Sequence, residues 1–270
     1  GTLTLSARNN TFTGAVQAGT GVLALSGTTL VAPVNVGTDA TLRVTGGAGL
    51  VGQYNAWAGS GGGNFNTLSA LNNRFSSLTP ALQYNGSTDA SGNFDFASNG
   101  SKFPAPYNVS TTFEGRWIGT YTAPAEGSYT FFTASDDGSM LWIDGQLVVN
   151  NNFAQGVTER SGTITLTAGV HDIVYAYYNS GGGYGFYSNV TTPGGSKTLM
   201  NNSDLSSGSA IGSLTGDSGA TLELADTTNL TVNQSTSGTF GGLVTGPGGL
   251  FKTGTATLTL SNDANDYTGK

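Results

Sequence analysis

The two ends of the chain repeat one another without a gap. Thr2-Leu3-Thr4-Leu5-Ser6 recurs as Thr257-Leu258-Thr259-Leu260-Ser261. Asn10, Phe12, Thr13 and Gly14 then recur, at the same spacing, as Asn265, Tyr267, Thr268 and Gly269. Fainter copies lie between them: Val22-Leu23-Ala24-Leu25-Ser26-Gly27, Ala40-Thr41-Leu42-Arg43-Val44 and Ala220-Thr221-Leu222-Glu223-Leu224. Each is a short alternating strand flanked by Gly, Asp or Ser. One such unit cannot bury its apolar side alone, so the copies must stack. The pattern predicts a β-solenoid, and the repeat breaks off at both ends as if taken from a longer one. A Gly/Thr-rich β-protein of another architecture that happens to contain "TLTL" strands is the alternative reading.

The middle is different. All three Trp, the single His and nearly all the aromatics fall between about Gly47 and Gly195. Strands are expected over residues 111–122, 128–134, 139–143, 162–166 and 171–178, bounded by turn residues such as Asp137-Gly138 and Asp144-Gly145. Antiparallel strands at this spacing suggest a β-sandwich. The expected fold class is therefore all-β: an antiparallel β-sandwich inserted between segments of a right-handed parallel β-helix. The domains would be 1–46 (solenoid), 47–195 (sandwich) and 196–270 (solenoid).

Composition narrows the function. Charged residues are 9% of the chain, against about 25% in an average domain. The net charge is −7 and no basic run exists, which argues against nucleic acid. Cysteine is absent, so disulfides and thiolate metal sites are ruled out. No apolar run approaches the roughly 20 residues of a membrane helix, so no direct membrane insertion is expected. Nothing suggests an oligomer, and the fragment reads as a monomer.

Two constellations carry possible chemistry. Ser135-Asp136-Asp137-Gly138 places two carboxylates side by side, a pair that can chelate one hard cation. Neighbours in a strand point to opposite faces, so both would reach one ion only through an unusual backbone such as a cis peptide. The plainer reading is a turn with Asp136 solvated. Tyr178-Asn179-Ser180-Gly181-Gly182-Gly183-Tyr184 offers a neutral oxygen ligand, exposed carbonyls and a flat ring on which a sugar could stack. Its plainer reading is a flexible hairpin loop. Gly61-Gly62-Gly63, with Asn64 and Phe65, could also rim a site. Trp117, Phe131, Trp142 and Tyr175 read as core, and Trp57 is open to either reading. An imidazole-dependent triad would have only His171, at a strand start. Asp136 or Asp95 with Glu114 could in principle cleave glycosides, but nothing places any two at working distance. The chain is read as a binding module and not an enzyme.

The end repeats resemble the passenger-associated repeats of bacterial autotransporter adhesins. The likeness rests on Gly249-Leu250-Phe251-Lys252-Thr253-Gly254, on Thr257 to Ser261, and on Asn265-Asp266-Tyr267-Thr268-Gly269. The middle resembles the anthrax-protective-antigen domain family. The matching runs are Phe113-Glu114-Gly115-Arg116-Trp117-Ile118-Gly119, Gly127-Ser128-Tyr129-Thr130-Phe131, Ser135 to Ser139, Trp142-Ile143-Asp144-Gly145 and Thr167-Ala168-Gly169-Val170-His171. The second resemblance implies a cis Asp136–Asp137 peptide and a Ca2+ ion held by Asp136 and Asp137. Asn179, with the carbonyls of Gly181 and Gly183, would complete the metal site, and Asn189 is an alternative to Asn179. Glycans with vicinal hydroxyls, on host or neighbouring cells, would bind at Asp136, Asp137, Asn179 and Tyr184. His171 would be structural. Together the resemblances imply a secreted or surface-displayed bacterial adhesin. The rivals are a structural spacer or protein-interaction module, and a targeting accessory to a catalytic domain.

Overall fold

Alternating apolar residues, repeated in register, build the first part of the chain. In the computed structural model, which describes residues 1–6, 9–10, 14–56, 65–77, 82–85, 94–96, 103, 112–225 and 228–269, it forms β1 (Thr2–Leu5), β2 (Asn9–Asn10), β3 (Val16–Ser26) and β4 (Thr29–Thr45). The middle carries β5 (Gly47–Ala48), β6 (Val51–Ala56), α1 (Leu68–Ser77), β7 (Leu82–Asn85), β8 (Phe113–Ala123), β9 (Gly127–Asp136) and β10 (Gly138–Ile143). It continues through β11 (Gln146–Asn151), β12 (Thr158–Leu166), β13 (Gly169–Asn179), β14 (Gly185–Thr191), β15 (Lys197–Leu199) and β16 (Leu205–Ser207). The last part holds β17 (Ser209–Gly216), β18 (Thr221–Leu224), β19 (Leu230–Asn233), β20 (Gly238–Phe240), β21 (Leu243–Thr245), β22 (Leu250–Thr253) and β23 (Leu258–Leu260). The chain divides into one unit of Gly1–Gly47 with Ser207–Lys270 and another of Ala48–Ser206.

The first unit is a parallel stack. Leu23 pairs with Leu42, Leu42 with Leu222 and Leu222 with Val244, which forms one buried ladder. Leu25, Val44 and Leu224 form a second. Successive rungs are offset by about 20 residues, as in the pairings of Thr2 with Val22 and Leu230 with Leu250. Thr41 and Thr221 are paired neighbours 180 positions apart; the 159 residues of 48–206 account for all but 21 of these, about one rung. The insertion therefore occupies a single inter-rung connection, and the stack continues across it.

The second unit is a sandwich. Its larger sheet runs β11-β10-β13-β8-β16-β5, with β6 beside β8 and β7 beside β6; its smaller sheet runs β12-β9-β14-β15. The alternation of period two sends Trp117, Tyr129, Phe131, Leu141, Tyr175 and Phe186 into one core between the sheets. The opposite alternation sends Met140, Trp142, Ala176 and Tyr178 to the outer face, under Phe65, Leu71 and Phe75. Helix α1, which no sequence signal above anticipated, packs there. The Ala70 amide donates to Thr67 Oγ1 at 3.1 Å, capping its start.

Two expectations are corrected. Residues 196–206 belong to the sandwich and not to the solenoid. Lys197–Leu199 pairs antiparallel with β14, and Leu205 pairs with Tyr121 of β8. Asp137-Gly138 is not a hairpin turn, because β9 and β10 lie in different sheets and Gly138 has no positive φ. Gly138 is required for space, since a Cβ there would lie 2.2 Å from the Tyr178 ring. Asp144-Gly145 is the tight turn its sequence suggests, with φ of 49° and 78°.

Candidate functional site

Three connections cross between the sheets at one end of the sandwich. Asp136 ends β9 and pairs with Gly185 at the start of β14; Ser135 pairs with Thr158 at the start of β12. The strand order β12-β9-β14 therefore puts the Asp136–Asp137 step between the 152–157 connection on one side and the 180–184 connection on the other. The peptide joining the two acids is cis.

Both flanking connections hold Asp137. Ser180 donates from its amide and its hydroxyl to Asp137 Oδ2, each at 2.6 Å. The Gln155 amide donates to Asp137 Oδ1 at 3.1 Å. Asp137 is buried and Asp136 is half-buried beside it. Burial, and then the neighbouring Asp137 charge, raise the Asp136 carboxyl above the ordinary aspartate range. Tyr177 donates its hydroxyl to the Asp136 carbonyl at 2.6 Å.

A polar network adjoins the pair. Ser135 Oγ and Ser139 Oγ are 2.8 Å apart, and Ser139 donates to Thr133 Oγ1 at 2.9 Å. Asn151, fully buried, donates to the carbonyls of Thr158 and Thr133 at 2.8 and 3.1 Å. Gln155 Nε2 reaches Asn151 Oδ1 at 2.8 Å. Arg160 donates to Asn151 Oδ1 and, at 2.8 Å, to Gln155 Oε1. These bonds fix the 152–157 connection against the acid pair.

The expected site residues divide. Asp136, Asp137 and Gly183 come together: a Cβ at Gly183 would lie 2.6 Å from Asp136 Oδ2, so a larger residue there would displace that carboxylate. Asn179 ends β13 next to Ser180, fully buried, and its Oδ1 accepts from the Gly181 amide at 3.1 Å. Gly181 is exposed, with φ of 120°. Tyr184 is half-buried against the core, its ring stacked near Phe103 with centroids 6.2 Å apart. Asn189 is not at the site. It pairs with Phe132, four residues along the strands from the Gly185–Asp136 pair, about 13 Å at the usual strand rise.

Other candidates are structural. His171 is buried, with Nδ1 2.7 Å from Asp144 Oδ2 and Nε2 3.0 Å from the Thr167 carbonyl. Glu114 accepts from Arg74 of α1 at 2.6 Å, and Asp95 forms a bridge with Tyr187. Phe65 is buried core. Trp57 and residues 61–64 lie outside the described residues. The sequence reading did not assign Ser180, although it stands inside the quoted loop. It also passed over Gln155 and Phe153, whose only signal is an aromatic inside the polar run Asn150-Asn151-Asn152-Phe153-Ala154-Gln155.

The donor set suits a hard cation. Two adjacent carboxylates and loop oxygens match the all-oxygen coordination that calcium takes. Burial chiefly raises the Asp136 carboxyl, and the Asp137 charge that adds to the rise is what a cation between them would offset. No group of three or more His, Cys, Asp or Glu that could hold a metal ion occurs among the described residues, so a cation at the acid pair would need neutral oxygens as its further ligands.

A family model described as the PA14 domain matches residues 65–204, just over half of the chain. The anti-sigma-I factor RsgI3 of Acetivibrio thermocellus is 41% identical over 68 residues, 25% of this chain and 11% of that protein. The chain thus spans about a tenth of that relative. Among solved structures, the PA14 sugar-binding domain from an RTX adhesin is 25% identical, with a TM-score of 0.48, over 59% of this chain and 98% of that one. The epithelial adhesin 6 A domain of Candida glabrata, solved in complex with Galb1-3GlcNAc, is 13% identical, with a TM-score of 0.47, over 60% of this chain and 88% of that one.

Proposed function

This chain belongs to the PA14 domain family, and from that premise we propose that its sandwich is a calcium-dependent glycan-binding module of a secreted or surface-displayed bacterial adhesin. The observation that carries the reading is Asp137. Its two carboxylate oxygens are tied to two different loops, with Asp136 beside it at one end of the sandwich. A hydrogen-bonded carboxylate on rigid strands is a preorganised ligand.

Asp136 and Asp137 would hold the ion with oxygens of the 179–183 segment. Calcium, when bound, would offer vicinal sugar hydroxyls coordination positions otherwise filled by water. Ser180 and Gln155 hold Asp137 in place, and Gly183 lets the loop close on Asp136. The remaining loop polar groups would choose among sugars. A single sugar would bind weakly, and several copies displayed together would bind by effective concentration. The solenoid rungs, with their likeness to passenger repeats, would serve as the stalk outside the cell.

A spacer role has one observation in its favour. Asp137 already accepts three protein hydrogen bonds, so the loops are tied down without an ion. A glycan array in calcium, in chelator, and with Asp137→Ala separates the two readings. Signal in calcium that falls to background in chelator and in the variant is the expected result. A folded chain that binds calcium yet no glycan would favour the spacer.

A further inference from the structure

The acid pair has two flanks, and only the 180–184 side is anticipated by the sequence. The other flank, residues 152–157, carries the one exposed Phe, Tyr or Trp among the described residues, Phe153, at 48% exposure. Val157, at the loop's far end, is equally exposed. Between them Gln155 donates its amide to Asp137 Oδ1. A bare aromatic in water, two residues from a bond to the acid pair, serves neither core.

The ring is also braced. The Arg160 guanidinium lies 4.3 Å from its centroid. Arg160 in turn bonds Gln155 Oε1 and the fully buried Asn151. Asn152 Nδ2 reaches Asn66 Oδ1 at 3.0 Å, which ties the same loop to a second segment. One face of the ring is backed by a tethered cation, and the loop beneath is fixed. Ordering done before binding is ordering that a ligand need not cost.

We infer that Phe153, backed by Arg160, is a specificity wall that stacks on the sugar residue next to the one held at the acid pair. The ligand class is an oligosaccharide whose second pyranose presents its apolar C–H face. Rings of this kind pack on aromatic faces, whereas a lone monosaccharide at the acids would not extend to both flanks. The inference rests on the glycan-binding reading above and deepens it.

The test is an array of mono-, di- and trisaccharides in calcium, probed with the unmodified chain, Phe153→Ala, Phe153→Tyr and Asp137→Ala. Calcium-induced change in Tm is read for each. Phe153→Ala should lower the ratio of disaccharide to monosaccharide signal about five- to tenfold. Phe153→Tyr should restore that ratio, and Asp137→Ala should lose all signal and the calcium response. An unchanged ratio in Phe153→Ala, with Asp137 still required, overturns the wall and leaves the lectin. Equal loss on mono- and disaccharides also overturns it, because Phe153 would then act only through the loop. No signal from the unmodified chain overturns the glycan reading and the wall together.

Discussion

The two units bury different chemistry. The solenoid core is aliphatic ladders with one Phe, and its buried polar side chains are neutral: Thr28, Ser207, Ser209, Ser213, Thr228 and Gln234. The sandwich core is crowded with rings, and the sandwich also buries Glu114, Asp137 and His171. A stack of rungs is specified by repetition, since each apolar residue meets its own kind one rung away. A sandwich is specified by unlike shapes fitting once, and each strand-to-strand crossover differs. Ionisable groups can be held in defined surroundings in the second design. It is there that the acid pair sits.

The difference predicts separate responses to core damage. Trp117 is buried, stacks on Phe186 at 5.1 Å between centroids and donates to the Tyr54 hydroxyl at 3.0 Å. Trp117→Ala should cost about 3–5 kcal/mol. That is a large part of the roughly 5–15 kcal/mol of a typical domain. All three Trp lie within 48–206, so Trp fluorescence in urea reports the sandwich alone. Its midpoint should fall sharply while the circular dichroism of the solenoid persists. Simultaneous loss of both signals would break the comparison and make the chain one cooperative body.

The reciprocal change is smaller. Leu222 is fully buried between Leu42 and Val244. Leu222→Ala should cost about 2–5 kcal/mol. Each rung depends on its neighbours, so the loss should spread along the stack. The circular dichroism transition should move and the Trp fluorescence midpoint should not.

The contrast also explains what the sequence revealed. The ladders were legible because Leu23, Leu42 and Leu222 lie in strands that look alike. The insertion was legible because rings cluster in it. Its far edge was misplaced at 195 because Lys197–Leu199 and Leu205–Ser207 are short, carry no aromatic and resemble their solenoid neighbours. Only their partners, Thr191 to Asn189 and Tyr121 to Thr120, put them in the sandwich. Asp136 and Asp137 were legible as a pair of acids, whereas Gln155 and Ser180 each reach Asp137 partly through a backbone amide, which leaves no mark in the residue type. The packing of Tyr184 near Phe103 was not legible, because the two lie 81 positions apart in sequence.

The smallest expected effect tests the claim about buried charge. Glu114 is fully buried, one oxygen bonded to Arg74 and the other, Oε2, without a partner among the described residues. Burial raises its pKa, and the Arg74 bond and charge oppose that rise without cancelling it. The folded chain therefore binds this proton more tightly than the unfolded chain. Linkage gives the sign: sandwich stability falls as pH rises from the ordinary glutamate range through the raised value, and levels off above it. Glu114→Gln keeps an acceptor for Arg74 and removes the titration, so the slope of the fluorescence midpoint against pH should flatten. Asp136 and Asp204, also raised chiefly by burial, leave a residual slope of the same sign. A slope unchanged by the substitution would mean that Glu114 does not titrate differently in the fold. Placing the sandwich's pH response in its buried carboxylates would then fail at its most buried member.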